Sequence, residues 1–380
     1  LTNTYNHTLD IARNAKKFYQ SESKVHPIFI IGGPHVTFTS EEVLNNEIFD
    51  FCFLGEIESV ITEFTSIATS SSSLIEAKRK IRKFPRILDQ LAFKAHDGNM
   101  ITSNAFRHLE IDLDMLPLPA RHLLPINDPG HFYNTATVIV NRGCPNQCIF
   151  CSRQALFKKA RWRDPRGIME ELRAIHSMEY AYEYFNMYDN LTISLSFMDN
   201  LLDLMVNDDK VFLPWGCELR ADMVSKDIAK KLHIANCRAT AVGIESANDE
   251  ILKTAGKFQS IDKVNNGLGN IKDAGLAVQA YFVVGLPGET ISTFEETISF
   301  IEKSNLEPKV DKIDFFAVTP YPGSKLLERR NELGVQILDS NYDHYDCQHI
   351  TCKPPGLSLE QLEEIWARAK EFESSFNMKP

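Results

Sequence analysis

The apolar positions change rhythm twice along the 380 residues. A helical period runs through "YNHTLDIARNAKKFYQ", and the short run "IFIIG" then closes on Gly32-Gly33-Pro34, as expected of a buried parallel strand ending in a tight loop. A second such run, "FDFCFLG", ends at Gly55, and "SVITEFTSIA" follows with helical spacing. Helix, strand, loop, helix, strand, loop, helix is the second half of a doubly wound α/β domain. Its first strands are expected beyond Leu1, where the chain opens without a methionine.

Ser70 to Ser73 and the basic run "AKRKIRKFPR" mark a boundary. Positions 84 to 135 read as an irregular, proline-rich linker ("DLDMLPLPARHLLP"), with a hairpin predicted where Asp97-Gly98 splits "AFKAHDGNMITS". After 136 strand-like runs recur at "ATVIV", "YEYFNMY", "VFLPWGCEL", "ATAVGI", "VQAYFVVG" and "KIDFFAV", each followed by a segment with helix signals. Six βα units with right-handed crossovers make an open or closed α/β barrel. Helix starts are expected at Asp164 before Pro165, at Ser225 and at Ser292. In "LSLEQLEEIWARAKEFESSF" the residues Leu362, Ile365, Trp366, Ala369 and Phe372 share one face of a closing helix. The fold class is therefore α/β, divided at 1–75, 76–135, 136–335 and 336–380.

With 43% apolar and 24% charged residues the chain has an ordinary globular balance, and its net charge of -10 provides no general basic field for a nucleic acid. The basic run Lys78, Arg79, Lys80, Arg82, Lys83 and Arg86 reads as a solvated helix, so no nucleic-acid partner is expected. No stretch approaches the roughly 20 apolar residues of a membrane span, and no signal-peptide pattern opens the chain. A cytosolic protein is expected. Eight cysteines, three of them clustered, fit metal binding in a reducing compartment better than a disulfide framework. Cys52, Cys217 and Cys237 lie in apolar runs and read as packed thiols. Cys347, His349 and Cys352 in "CQHITC" are spaced like metal ligands, but such a trio in a tail loop is more often coincidence.

The sharpest chemical signal is "NRGCPNQCIFCS", where Cys144, Cys148 and Cys151 fall in the first βα loop, on the C-terminal face where barrel active sites assemble. A structural zinc site needs four protein ligands, and an electron carrier fills every corner of its cluster. Three thiolates around a cuboidal iron-sulfur cluster leave one iron open. Zinc and a closed redox cluster are the competing readings.

This C-x3-C-x2-C loop, with Phe150 before the last cysteine, resembles the signature of the radical S-adenosylmethionine (SAM) superfamily. The resemblance implies a 4Fe-4S cluster on Cys144, Cys148 and Cys151, with SAM chelating the open iron through its amino and carboxylate groups. One electron then cleaves the sulfonium to a 5'-deoxyadenosyl radical. It further implies that Glu218 in "GCELRAD" meets the methionine amino group, Glu245 in "VGIES" the ribose hydroxyls, and Lys257 in "LKTAGK" the methionine carboxylate. Gly285 in "VVGLPGET" would lie near the adenine, and Asp189-Asn190 in the loop facing SAM. Tyr188 and Tyr321 are candidates to face substrate.

The segments "IIGGPHVTFTSEEVL" and "FDFCFLGEIESV" resemble the C-terminal half of the cobalamin-binding domain found in one large radical SAM branch. By that resemblance Gly32, Gly33 and Gly55 line the nucleotide tail of the corrinoid. The Asp-x-His-x-x-Gly element of many such domains does not occur in the chain, so no histidine, His35 included, is assigned as an axial ligand. The expectation is a partial (β/α)6 TIM-like barrel behind an incomplete flavodoxin/Rossmann-like cobalamin-binding domain. Its implied activity is cobalamin-dependent methylation of an unactivated carbon. Oxidative cyclisation and rearrangement are the alternatives within the same layout, and a metal-binding or electron-transfer protein is the alternative from another class. A small-molecule or peptide substrate and a reductant such as flavodoxin or ferredoxin are the implied partners.

Overall fold

The structure, a computed structural model, describes residues 2–22, 27–102, 111–124, 134–178, 182–190, 194–208 and 213–378. Two sheets organise it. In the first, β1 (Ile30–Ile31) and β2 (Phe51–Phe53) are parallel, and β3 (Leu91–Lys94) and β4 (Met100–Thr102) continue the sheet antiparallel. The hairpin predicted at Asp97-Gly98 is β3–β4, and it extends this sheet. Helices α1 (Tyr5–Glu22) and α2 (Pro34–Asn45) pack on one face, α3 (Ile61–Thr69) and α4 (Leu74–Ile81) on the other. Strand alternation explains the layering: Cys52 and Leu54 point into the cluster with Tyr5, Leu9 and Leu44, while Phe51 and Phe53 point into the cluster with Phe64 and Ile81. The basic run is α4, N-capped by Ser73, with Ala77 and Ile81 buried beneath its charges.

The second sheet contains six parallel strands in sequence order: β5 (Thr135–Val138), then, past the short β6 (Asn141–Arg142) and β7 (Arg161–Trp162), β8 (Tyr184–Asn190), β9 (Trp215–Leu219), β10 (Cys237–Glu245), β11 (Ala277–Val284) and β12 (Lys312–Ala317). β5 and β12 are its free edges, so the βα units form an open arc. Helices α5 (Pro165–Ser177), α6 (Leu195–Val206), α7 (Lys226–Ile234), α8 (Ile261–Asp273), α9 (Ile291–Lys303) and α10 (Leu359–Asn377) follow in chain order. Along β11 the residues Val278, Ala280, Phe282 and Val284 are buried in the main core with residues of α8, α9 and α10, whereas Gln279, Tyr281 and Val283 are only half-buried. The arc is thus apolar toward its helices and partly open on the opposite face.

Asp164 and Ser225 cap α5 and α7 as expected, but Thr290 caps α9 through a capping box with Thr293, and Ser292 lies inside the first turn. Cys52, Cys217 and Cys237 are buried thiols. Among the described residues no helix is long and apolar enough to cross a membrane.

Gly267 of α8 is what lets that helix approach the segment after β9: a Cβ there would sit 1.8 Å from the Ala221 carbonyl oxygen. Gly267→Ala gains about 1 kcal/mol of helix propensity but forces α8 off its seat. A net loss of about 2 kcal/mol or more is expected in denaturant unfolding. Gly269→Ala in the same helix, whose nearest neighbour would be 3.9 Å away, is expected to be neutral or stabilising.

Candidate active site

Between β5 and the cysteines the chain makes a turn that the sequence did not predict. β6 and β7 pair antiparallel, Asn141 opposite Trp162 and Arg142 opposite Arg161, so the cysteine segment is the tip of a hairpin rather than a direct continuation of the first barrel strand. Two-residue strands leave no periodicity to read. Gly143, at φ +87°, opens the tip, and a Cβ there would meet the Lys159 carbonyl oxygen at 2.3 Å. The base of the hairpin is fastened from the first sheet: the buried Glu56, just after Gly55, accepts from Arg142 and from Arg161, each at 2.6 Å, and Glu58 accepts from Arg142 at 2.6 Å. Arg142 holds the Glu58 carboxyl below the usual carboxylate range against the opposing effect of burial.

The tip is held from the barrel side. Ile149 N donates to Ala255 O at 2.9 Å, and Leu326 N donates to Ile149 O at 2.7 Å. Gly256, at φ +69°, lets the segment after β10 pass under the loop; a Cβ there would stand 2.5 Å from Gln147 O. Phe150 packs with Ile149, Ile251, Leu286 and Leu326, which seats the loop on an apolar base. Cys144 and Cys148 are half-buried and Cys151 is exposed. Burial pushes the Cys148 thiol up to about 11; the Lys257 ammonium acts against that rise, and Glu245, Cys151 and Cys144 add to it. Among the described residues no group of three or more His, Cys, Asp or Glu side chains forms a site for a metal ion. The Cys148 and Cys151 thiols feel the charge of Cys144, and the three do not make a closed single-ion cage.

Glu245 and Lys257 converge on this loop by a specific local device. The register of β10 against β11 slips between Gly243 and Glu245, and Glu245 takes a left-handed backbone conformation at φ +69°. Such a conformation in a non-glycine residue costs about 1–3 kcal/mol and persists only where its surroundings hold it. Here Lys257 Nζ contacts Glu245 Oε1 at 2.5 Å and Gly243 O at 2.6 Å. A Cβ at Gly243 would lie 2.6 Å from the carboxylate and 2.7 Å from the ammonium, so a side chain there would push the flexible ends of the pair aside. The sequence expectation gave these two residues separate partners; the structure gives them each other.

Arg220 was missed, although it sits two positions after Glu218 in "GCELRAD". Its guanidinium donates to Asn146 Oδ1 at 3.1 Å and is oriented by Asp222, at 3.0 and 2.9 Å, and by Phe258 O at 2.9 Å. Asn146 in turn donates to Cys144 Sγ at 3.4 Å, and Arg220 feels the charges of Cys148 and Cys144. Glu218 is the penultimate residue of β9, with Asn190 of β8 and Ala241 of β10 as its register neighbours. The side chains of Tyr188, Asp189 and Asn190 lie outside the described residues.

Gly285 stands at φ +90°, and a Cβ there would be 3.0 Å from Val318 Cγ1, so its closest constraint is a core side chain. Tyr321 is occupied, donating to Tyr345 O at 3.0 Å and lying 3.1 Å from Cys347 Sγ. Cys352 is buried and His349 pairs with Asp346, so the tail trio makes no common site. On the first sheet, Gly32, Gly33, Gly55, Glu56, Arg142, Leu156 and Phe157 line a cleft of about 360 Å³ between the strand ends and the cysteine hairpin.

Residues 138–301 match the family model of the Radical SAM superfamily. Over 362 residues the chain is 30% identical to an uncharacterized methyltransferase of Pyrococcus horikoshii, covering 92% of this chain and 72% of that protein. The chain belongs to the radical SAM superfamily. It is 23% identical to the bacteriochlorophyllide d C-12(1)-methyltransferase of Chlorobaculum tepidum, over 93% of this chain and 70% of that one. Its fold is that of the radical SAM methyltransferase TsrM of Kitasatospora setae, solved with cobalamin and a [4Fe-4S] cluster, at a TM-score of 0.67, with 14% identity and coverage of 97% of this chain and 74% of that one. Superfamily membership makes the chain an enzyme that works with a 4Fe-4S cluster and SAM.

Glu289, four residues past Gly285, accepts from Gly285 N at 2.5 Å; it is 2% exposed, and burial pushes its carboxyl up to about 8. Between the unfolded value near 4.5 and about 8 the folded chain keeps a proton that the unfolded chain has released, so this group lowers stability as pH rises through that window. Glu289→Gln, which keeps the acceptor, is expected to gain stability relative to wild type progressively from pH 5 to 8 and to hold a constant difference above that. Thermal unfolding at several pH values measures it.

Proposed function

We propose that this radical SAM enzyme methylates an unactivated carbon and uses cobalamin as its methyl carrier. The observation that carries the reading is one arrangement: a three-cysteine tip clamped between a cation-bearing barrel mouth and a glycine-lined cleft on the first sheet. The donor set fits the cluster. Three thiols on one loop match three corners, and the nearby Lys257 favours the thiolate form of Cys148 once iron displaces its proton. The cleft fits a corrinoid edge, because Gly33 has no atom within 4 Å of where a Cβ would stand and Gly55 takes a positive φ.

When bound, these groups supply an electron that splits SAM into methionine and a 5'-deoxyadenosyl radical able to take a substrate hydrogen, and a cobalt-borne methyl group restored by a second SAM. The chain's part is to bind, orient and shield. Cys144, Cys148 and Cys151 hold the cluster and leave one iron open. Arg220 and Lys257 offer positive charge to the carboxylate of SAM. Glu245, an acceptor only, suits the two ribose hydroxyls. Because Lys257 and Glu245 neutralise each other without ligand, SAM binding exchanges one ion pair for two new contacts, and neither charge is ever left buried alone.

Reconstituted anaerobically with iron and sulfide, the wild type is expected to release 5'-deoxyadenosine from SAM under reduction, and Cys148→Ala to lose both the iron chromophore and that product. Lys257→Met should retain the cluster and raise the KM for SAM about ten- to a hundredfold, the loss of one charge-assisted hydrogen bond. Zinc in place of iron, or a cluster that never cleaves SAM, would sink the reading. A cyclised or rearranged product in place of a methylated one would replace the reaction and keep the radical step.

A further inference from the structure

Ile244 is the extra residue in the bulge of β10. Gly243 pairs with Tyr281 of β11 and Glu245 with the very next residue, Phe282, so Ile244 faces no residue of β11, and the register with β9 has already ended at Val242. The Ile244 side chain is buried in the main core. Its carbonyl is bonded from two sides: Ser246 N donates to it at 3.0 Å, and Gln259 Nε2 donates to it at 3.0 Å from the segment that leads into α8. The first of these bonds closes a three-residue turn about Glu245, whose φ of +69° gives it the pattern of a γ-turn, a rare and strained arrangement. The second comes from a side chain to which the radical chemistry has so far given no part.

Gln259 is buried, and it holds this position at a cost. Facing a carbonyl, its amide has to present the NH2 group, and Oε1 is left buried without a hydrogen-bond partner. An apolar side chain of the same volume would fill the space with no orphaned acceptor. What the amide contributes is therefore the bond to Ile244. That bond is also independent of the Glu245 carboxylate. In the ligand-free site Lys257 Nζ steadies the turn through Gly243 O and Glu245, but a lysine that leaves for the carboxylate of SAM gives up its hold on Glu245. Gln259 stays where it is, because its own N–H donates to Lys257 O at 2.7 Å and Phe258 O, between the two, accepts from Arg220 at 2.9 Å. One tripeptide thus ties the lysine backbone, the arginine and the bulge together.

We infer that Gln259 is a positioning residue for SAM: by holding the Ile244 carbonyl it fixes the turn that aims Glu245 at the ribose hydroxyls, with or without Lys257 on the carboxylate. The role rests on the placement of the ribose at Glu245 proposed above, and the experiment separates the two. SAM binding is measured by anaerobic calorimetry on the natural full-length protein with its cluster reconstituted and no reductant present, for the wild type, Gln259→Met, Glu245→Ala and the double variant, with thermal unfolding of each. Gln259→Met, of similar volume and without the orphaned acceptor, is expected to unfold at or above the wild-type Tm and yet to bind SAM about three- to tenfold more weakly. Under reduction its KM for SAM rises in step, while kcat for 5'-deoxyadenosine at saturating SAM stays within about twofold. In the Glu245→Ala background the same substitution is expected to change SAM affinity by less than about twofold, because there is no carboxylate left to aim. Unchanged SAM affinity in Gln259→Met overturns the inference. Losses that add in the double variant, or an affinity that falls only as the Tm falls, assign Gln259 to packing and overturn it as well. A Glu245→Ala protein that binds SAM as the wild type does overturns the ribose contact itself, and the support assigned to Gln259 with it.

Discussion

The relation between the two sheets depends on one buried carboxylate. Glu56 leaves the C-terminal end of β2 and receives an arginine from each strand of the hairpin that carries the cysteines. Taking three charges out of water is costly, and such a set is stable only when every member is paired with good geometry. Here the condition is met: Arg142 divides its guanidinium between Glu56 and Glu58, and Arg161 divides its own between Glu56 and Ile111 O. An apolar contact would bury comparable area without fixing orientation. Forked guanidinium pairing fixes it, and so sets how far the cysteine tip stands from the glycine turns that line the opposite wall of the cleft.

The barrel side achieves the same end with backbone. Its loop contacts run through main-chain hydrogen bonds at Ile149 and glycines at 143 and 256, positions where a side chain would collide with a carbonyl. Fixed dipoles and close backbone approach do not reorganise when charge develops, which is what a site for one-electron chemistry requires of its surroundings. The half-buried face of the arc extends this logic. Gln279 donates to Asp314 at 2.7 Å and Tyr281 packs edge-on against Phe316, so polar groups occupy a sheet surface whose other side is apolar but for residues such as the buried Thr240.

Much of this was legible in the residues. The six strands, the α/β front piece, the packed cysteines and the three-thiol loop follow from periods of two and 3.6, from glycine punctuation and from ligand spacing. What escaped has physical reasons. The β6–β7 hairpin is too short to show alternation, and the Thr290 cap was masked by Ser292 because both hydroxyls precede the same apolar run. Glu56 and Arg161 stand 105 positions apart, and no local pattern announces a pair that only tertiary folding creates. Arg220 was readable in principle, since strand alternation puts it on the side of Glu218, but an arginine after a strand is common and only its contact with Asn146 gives it meaning.

The site's electrostatics follow from a single imbalance. Near the cysteines the cations Arg220 and Lys257 are each provided with a carboxylate, Asp222 and Glu245, so these two cations are neutralised pair by pair. The two pairs differ in kind. Asp222 grips Arg220 through two bonds on one short segment, whereas Glu245 reaches Lys257 from a bulged residue in a left-handed conformation. The first pair orients its cation permanently. The second is kept against the backbone cost of that conformation, which persists because contacts such as those of Lys257 with the carboxylate and the Gly243 carbonyl hold it from outside. The ammonium held there opposes the rise that burial imposes on the Cys148 thiol.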